Sequence, residues 1–134
     1  MIMSDLKGKI WVDGDLIEWS DAKVHILTHT LHYGTGVFEG VRAYETSSGP
    51  AIFRLQDHTK RLFESAELIG MTIPFTSKEL NDAQTEVVQI NNLKNAYIIP
   101  ICFYGSEGMG VRADNLKVHV CVTAWDRGSY VGVD

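Results

Sequence analysis

The sequence predicts an α+β fold, a largely antiparallel sheet with two main helices packed on it. Three observations carry that reading. Two long stretches of β-forming residues, "NAYIIPICFYG" and "LKVHVCVTAW", lie close together late in the chain. Two stretches with helical spacing and helix-end signals, "LQDHTKRLFESAELIGM" and "TSKELNDAQTEVVQINNL", precede them. Strand-like and helix-like segments come in runs rather than in strict alternation, which favours segregated layers over a doubly wound parallel sheet.

Taken in order, "KIWVDGDLIEWS" has β-type residues on both sides of Asp13-Gly14, a strong hairpin-turn signal. In "DAKVHILTHTLHYG", Val24, Leu27 and Leu31 recur at spacings of three and four, which predicts a partly helical segment. "GVFEGVRAYE" alternates Val37, Glu39, Val41 and Ala43 against Phe38, Gly40, Arg42 and Tyr44, a strand of period two. "TSSGP" turns the chain and "AIFR" returns as a second strand. The next helix places Leu55, Leu62, Ala66 and Ile69 on one face, with Gly70 as its stop. Thr76 and Glu79 have capping-box spacing at the start of the helix that runs to about Asn91. The glycine-containing loop "SEGMGVRADN" joins the last two strands.

Composition narrows the function classes. A length of 134 residues makes this one domain by size, or a piece of something larger, and 45% hydrophobic and 22% charged residues describe an ordinary soluble globular chain. A net charge of −5 with scattered Lys and Arg provides no basic face for nucleic acid. No apolar run approaches the roughly 20 residues that span a bilayer, and the start "MIMSDLKGKIWVDG" lacks the features of a signal peptide. Cys102 and Cys121 sit inside apolar stretches and read as buried reduced thiols of a cytoplasmic protein, a disulfide between neighbouring strands being the alternative.

Few residues stand out as chemistry. His25, His29 and His32 share a face if helical, a geometry open to a metal ion, but no HExxH acid or CxxC pair accompanies them, and ordinary polar helix residues are the alternative. Arg61, beside Lys60, is either a solvated charge paired with Asp57 one turn earlier or an anion clamp, since a guanidinium fork fits phosphate oxygens. Tyr97 shares a strand face with Ile99, Ile101 and Phe103, and its hydroxyl is either satisfied by backbone or kept for a ligand. Residues alone thus lead to a soluble α+β domain with an aromatic, glycine-lined concave surface and one or two internal arginines, with a small-molecule anion site favoured over a protein-interaction module.

The stretch "LHYGTGVFEGVRAY" resembles the signature of branched-chain amino acid aminotransferases, in the fold type IV group of pyridoxal phosphate enzymes. "FRLQDHTKRLFESAELIGM" is similar to that family's phosphate-arginine helix, and "AYIIPICFYGSEGMGV" to its following strand and dimer loop. The resemblance covers residues 9 to 132. It implies reversible amino transfer between Leu, Ile or Val and 2-oxoglutarate in the cytoplasm, as part of branched-chain amino acid biosynthesis, in a homodimer or higher homo-oligomer. By resemblance, Arg61 holds the cofactor phosphate, and Phe38, Gly40 and Tyr97 line the substrate side. Tyr33 and the loop at Gly110–Val111 reach into the partner subunit's site, Arg42 supports the Tyr33 region, and Tyr130 sits near the substrate at the domain connection.

Family members run to about two domains, and the lysine that bonds the cofactor belongs to the second. None of the lysines here falls in a matching motif. The resemblance therefore implies that residues 1–126 are the small N-terminal domain and 127–134 the start of the interdomain linker. The cofactor-lysine domain lies outside this chain, which is expected to be inactive alone and not to hold pyridoxal phosphate stably. The chain departs from the pattern at Tyr97-Ile98-Ile99-Pro100, where the family usually has Tyr-Ile-Arg-Pro, and at Arg127-Gly128, where Trp often precedes Gly. Arg127 is the candidate to replace the charge missing at Ile99. The alternatives are a stand-alone binding or interaction domain of the same fold, or another fold type IV enzyme such as a D-amino acid aminotransferase or aminodeoxychorismate lyase.

Overall fold

The structure, a computed structural model, describes residues 6–126 and residue 128. Among them, seven strands form one sheet in which every pairing is antiparallel. They are β1 (Lys9–Val12), β2 (Asp15–Glu18), β3 (Gly36–Phe38), β4 (Val41–Thr46), β5 (Gly49–Ile52), β6 (Ala96–Tyr104) and β7 (Val118–Asp126). The order is β2-β1-β7-β6-β4-β5, and β3 also pairs with β6. The helices are α1 (His29–Tyr33), α2 (Leu55–Leu68) and α3 (Ser77–Ile90). The α+β reading and the two main helices stand as expected.

Turn chemistry accounts for the first hairpin. Asp13 (φ 49°) and Gly14 (φ 103°) both take the left-handed conformation that a two-residue turn needs between right-twisted strands. The α3 cap is reciprocal: Glu79 N donates to Thr76 Oγ1 (3.1 Å) while Thr76 N donates to Glu79 Oε1 (3.0 Å). Asn91, just past α3, accepts from Lys9 N (2.7 Å) and donates to Lys9 O (2.9 Å), which fastens α3 to β1.

β6 is the axis of the sheet. Ala96, Ile98, Pro100 and Cys102 point from it into the core, with Val37, Val41 and Ala43 from the neighbouring strands and Val120, Val122 and Ala124 from β7. Leu62 and Ala66 of α2 and Leu80, Ala83, Val87 and Val88 of α3 close over this face. Cys102 and Cys121 alternate to opposite faces of adjacent strands and are free thiols. Burial pushes both up to about 12, so they stay protonated at neutral pH.

β3 and β4 are one strand interrupted in the middle. Phe38 opposes Ile101 and Val41 opposes Ile98, so the register on β6 continues across the break. The cause is Pro100. Glu39 N donates to Pro100 O (3.1 Å), but proline has no N–H to return the bond, and the ladder lapses at Glu39–Gly40.

The segment holding Val24, Leu27 and Leu31 is partly helical as expected, in α1 (His29–Tyr33), and the three apolar residues are exposed. The His25 ring accepts from Leu27 N (3.0 Å), and Thr28 Oγ1 donates to His25 O (2.6 Å). Such local bonds draw the backbone into a turn ahead of α1. One expectation is corrected: Ile69, just past the end of α2, is exposed, and Thr59 joins Leu62 and Ala66 on the buried face of the helix.

Leu62 and Leu68 share α2 but not its environment: Leu62 is fully buried, whereas Leu68 is 88% exposed. Leu62→Ala is expected to cost about 2–5 kcal/mol through lost burial and a cavity, whereas Leu68→Ala stays within about 0.5 kcal/mol. Urea unfolding of both variants against wild type measures the difference.

Candidate active site

The Glu39–Gly40 step faces two ways. Glu39 shares the core face of its strand with Val37 and Val41 and is 6% exposed, so a carboxylate is buried at the sheet edge under α2. A buried charge needs partners. Arg61 supplies a two-pronged contact, Nε to Glu39 Oε2 at 2.8 Å and Nη2 to Oε1 at 2.7 Å. His58, three residues earlier on α2, lies 2.8 Å from Oε1 through Nδ1. An ionised carboxylate only accepts, so Nδ1 of His58 carries the proton. Burial alone would push the Glu39 carboxyl up. The hydrogen bonds and charges of Arg61 and His58 outweigh it and hold the group below the usual carboxylate range.

This pairing corrects the expectation that Asp57 is the partner of Arg61 if its charge is structural: Asp57 bonds Arg54 Nε at 2.8 Å instead. Periodicity on α2 finds only neighbours on the same helix, and Glu39 lies on another element. Glu39 and His58 are thus the residues that sequence reasoning missed. The available signal was a lone acid on the apolar side of a period-two strand. Glu39 engages Nε and Nη2 of Arg61, and that side chain is 64% exposed, so the guanidinium is oriented from below and still reaches solvent. Such an arrangement holds an anion with little reorganisation.

Gly40, Phe38, Arg42 and Tyr97 come together on the opposite face. Phe38 is 61% exposed and Arg42 is exposed; Arg42 pairs directly with Tyr97 across β4 and β6. A Cβ added at Gly40 would stand 2.5 Å from Tyr97 Oη, so the glycine is required by close approach. The Tyr97 ring packs on Trp125 of β7 at 5.4 Å, and Ile99 lies two residues on along the same face.

Tyr33 and Val111 meet elsewhere, around His29. The buried His29 ring packs against Tyr33 at 4.6 Å, the two ring planes tilted by 46°. Its Nε2 donates to Val111 O at 2.9 Å, because a carbonyl only accepts. Its Nδ1 then accepts from the Thr35 hydroxyl at 2.8 Å. His25, His29 and His32 do not converge: His32 Nε2 bonds Ile26 O at 2.8 Å and His25 caps its own turn. Among the described residues no group of three His, Cys, Asp or Glu side chains is placed to hold a metal ion, and no helix is long and apolar enough to cross a membrane. A groove of about 830 Å³ and a smaller one of about 100 Å³ border the 105–117 loop rather than the Phe38–Tyr97 face. Arg127 and Tyr130 lie outside the described residues.

The sign of the pH dependence of Glu39 follows from its lowered pKa. Its contribution to stability is complete above its unfolded value of 4.5 and is lost as pH falls through the lower folded value. Glu39→Gln is expected to cost roughly 1–3 kcal/mol at neutral pH and to flatten the loss of stability in acid. Denaturant midpoints from about pH 7 to about pH 3 measure both effects.

Comparison with known proteins places the chain. The family described as "Amino-transferase class IV" matches residues 36–133. A branched-chain-amino-acid aminotransferase of Pseudomonas aeruginosa is 60% identical over 132 residues, covering 98% of this chain and 43% of that protein. The Escherichia coli K12 protein of the same name is 41% identical over 126 residues, covering 93% and 41%. A crystal structure of the T.th. branched-chain amino acid aminotransferase complexed with N-(5'-phosphopyridoxyl)-L-glutamate superposes with a TM-score of 0.87 at 46% identity, covering 91% of this chain and 42% of that one. The same enzyme is solved with 4-methylvaleric acid at a TM-score of 0.86. The chain thus spans about two-fifths of the length of the relatives it matches, and its fold matches their small domain. From the matched residues and the shared fold, the chain belongs to the class IV aminotransferase family.

Proposed function

We propose that this chain is the N-terminal small domain, residues 1–126 with the start of a linker at 127–134, of a branched-chain amino acid aminotransferase. The enzyme exchanges the amino group between Leu, Ile or Val and 2-oxoglutarate. The observation that carries the reading is the gathering of Phe38, Gly40, Arg42 and Tyr97 on one open sheet face, one backbone step from the Glu39 carboxylate that holds Arg61. The relatives that share nearly all of this chain carry the aminotransferase name.

Pyridoxal phosphate fits the donor set. Arg61 is exposed and oriented by a carboxylate that uses two of its three nitrogens, which suits one side of a phosphate group. When bound, the cofactor supplies the electron sink for amino transfer. Phe38 and Tyr97 give the substrate an apolar and aromatic wall, and Gly40 lets it lie against backbone. Ile99 extends that wall as an aliphatic surface, suited to a branched side chain. Tyr33 (47% exposed) and Val111 (73% exposed), with exposed Ile26, Leu31 and Met109 nearby in sequence, form an apolar surface. In the proposed homodimer it packs against a second copy and completes that copy's site. The cytoplasm is the proposed compartment, consistent with two free thiols.

The test is direct. The full-length protein, loaded with pyridoxal phosphate, is expected to turn over leucine with 2-oxoglutarate, and residues 1–134 alone are not. Arg61→Ala in the full-length protein is expected to weaken cofactor affinity roughly ten- to a hundredfold, read by absorbance titration. Turnover by the isolated chain, or unchanged affinity in the variant, overturns the reading. If the full-length protein binds branched-chain acids without turnover, the binding-domain alternative holds instead.

Recognition of glutamate is assigned to Arg127, in place of the charge that Ile99 does not provide. Arg127→Ala is expected to lower kcat/KM for glutamate about ten- to a hundredfold and to spare leucine. Equal losses on both substrates, or none, rule the assignment out.

A further inference from the structure

We propose that His119 is a positioning residue: as the doubly protonated imidazolium it ties the 105–117 loop, and with it Val111, to the β1–β2 turn. The proposal rests on the reading above only for what Val111 does at the site. The tie itself stands on geometry. Nδ1 of His119 lies 2.6 Å from Asp13 Oδ2, in the hairpin turn, and Nε2 lies 2.7 Å from Glu107 Oε2, at the start of the loop. Two ionised carboxylates offer only acceptors, so both ring nitrogens must donate, and a neutral imidazole has one N–H.

Neither carboxylate is free to turn away. Asp13 Oδ1 accepts from Val120 N at 2.8 Å, and Glu107 Oε1 accepts from Lys117 N at 3.1 Å. Gly105 leaves the space, since a side chain there would collide with both His119 Nε2 and Glu107 Oε2. Loss of one proton from the ring therefore sets a lone pair against one carboxylate oxygen and breaks that fastening.

The second histidine on this loop behaves differently. His29, which holds Val111 O, is satisfied as a neutral ring by the Thr35 hydroxyl and the carbonyl. Of the two fastenings, only the one at His119 needs a cation. The charged groups that face His119 are Asp13 from the hairpin turn and Glu107 from the loop; β6 presents the Phe103 ring at 5.5 Å. Asp114 and Lys117 line the same groove, and Lys117 enters the cluster through its backbone amide. Cys121, two residues along β7, stays protonated.

Burial alone would lower the pKa of His119, but Asp13 and Glu107 outweigh it and raise it above 6.5, and the Glu107 carboxyl is held low. With a raised folded value, the tie is complete below about pH 6.5 and is lost as pH rises through the folded value.

Hydrogen exchange of the loop amides in the full-length protein, corrected for the intrinsic pH dependence of exchange, tests the tie without reference to turnover. Protection across residues 106–116 is expected to fall about two- to fivefold as pH rises from about 6 to about 9. In His119→Asn it is low at every pH. Asp13→Asn keeps a favourable Asn-Gly turn and moves the transition to lower pH. Wild-type protection with no transition, or the same transition in His119→Asn, overturns the tie. KM for leucine is expected to rise with the same pH transition while kcat changes less, and a transition in exchange with no change in KM overturns the positioning role. Failure of every variant to turn over counts against the aminotransferase reading, while exchange still decides the tie.

Discussion

A carboxylate buried under a helix is the constraint on which this domain turns. Glu39 stands where its strand requires an apolar residue, and an unpaired charge there would cost several kcal/mol. Its partners come from α2, which is also the helix that must close the core through Leu62 and Ala66. Satisfying the charge and covering the sheet are therefore one event. Arg61 cannot settle on solvent or on a helical neighbour without leaving Glu39 exposed to that cost.

The same stretch joins the two faces of the sheet. Glu39 reaches down to Arg61 and Gly40 lies up against Tyr97, with one peptide bond between them. Pro100 opposite relaxes the ladder at that bond without shifting the register. The Arg61 guanidinium and an aromatic surface are thus set relative to each other by backbone geometry rather than by a loop, which favours precision.

What could be read in advance was local. The Asp13-Gly14 hairpin, the Thr76–Glu79 cap and the alternation of Gly36–Thr46 depend on neighbours a few residues apart, and all three appear in the structure. The Arg61–Glu39 pair joins residues 22 apart on different elements, so helical spacing pointed to Asp57. The helical part of the Val24–Leu31 segment was likewise legible from local spacing, but spacing within one segment does not decide burial, and its apolar residues are exposed. The family resemblance named Phe38, Gly40, Arg42 and Tyr97, which lie together on the open face. It spans Glu39 within "LHYGTGVFEGVRAY" but gives that acid no role, because the contact with Arg61 joins two separate stretches.

The unbroken register from Gly36 to Ala43 also limits how this segment can vary in length. Side chains along a strand alternate between its faces, so adding or removing one residue would exchange the two sides. Glu39 would then project into the open surface and Phe38 or Gly40 would press against α2. Substitutions in this segment change one face at a time, but insertions must come in pairs to keep parity. The 105–117 loop is under no such rule, so the two rims of the domain can diverge by different kinds of mutation: one by replacement at constant length, the other by insertion and deletion.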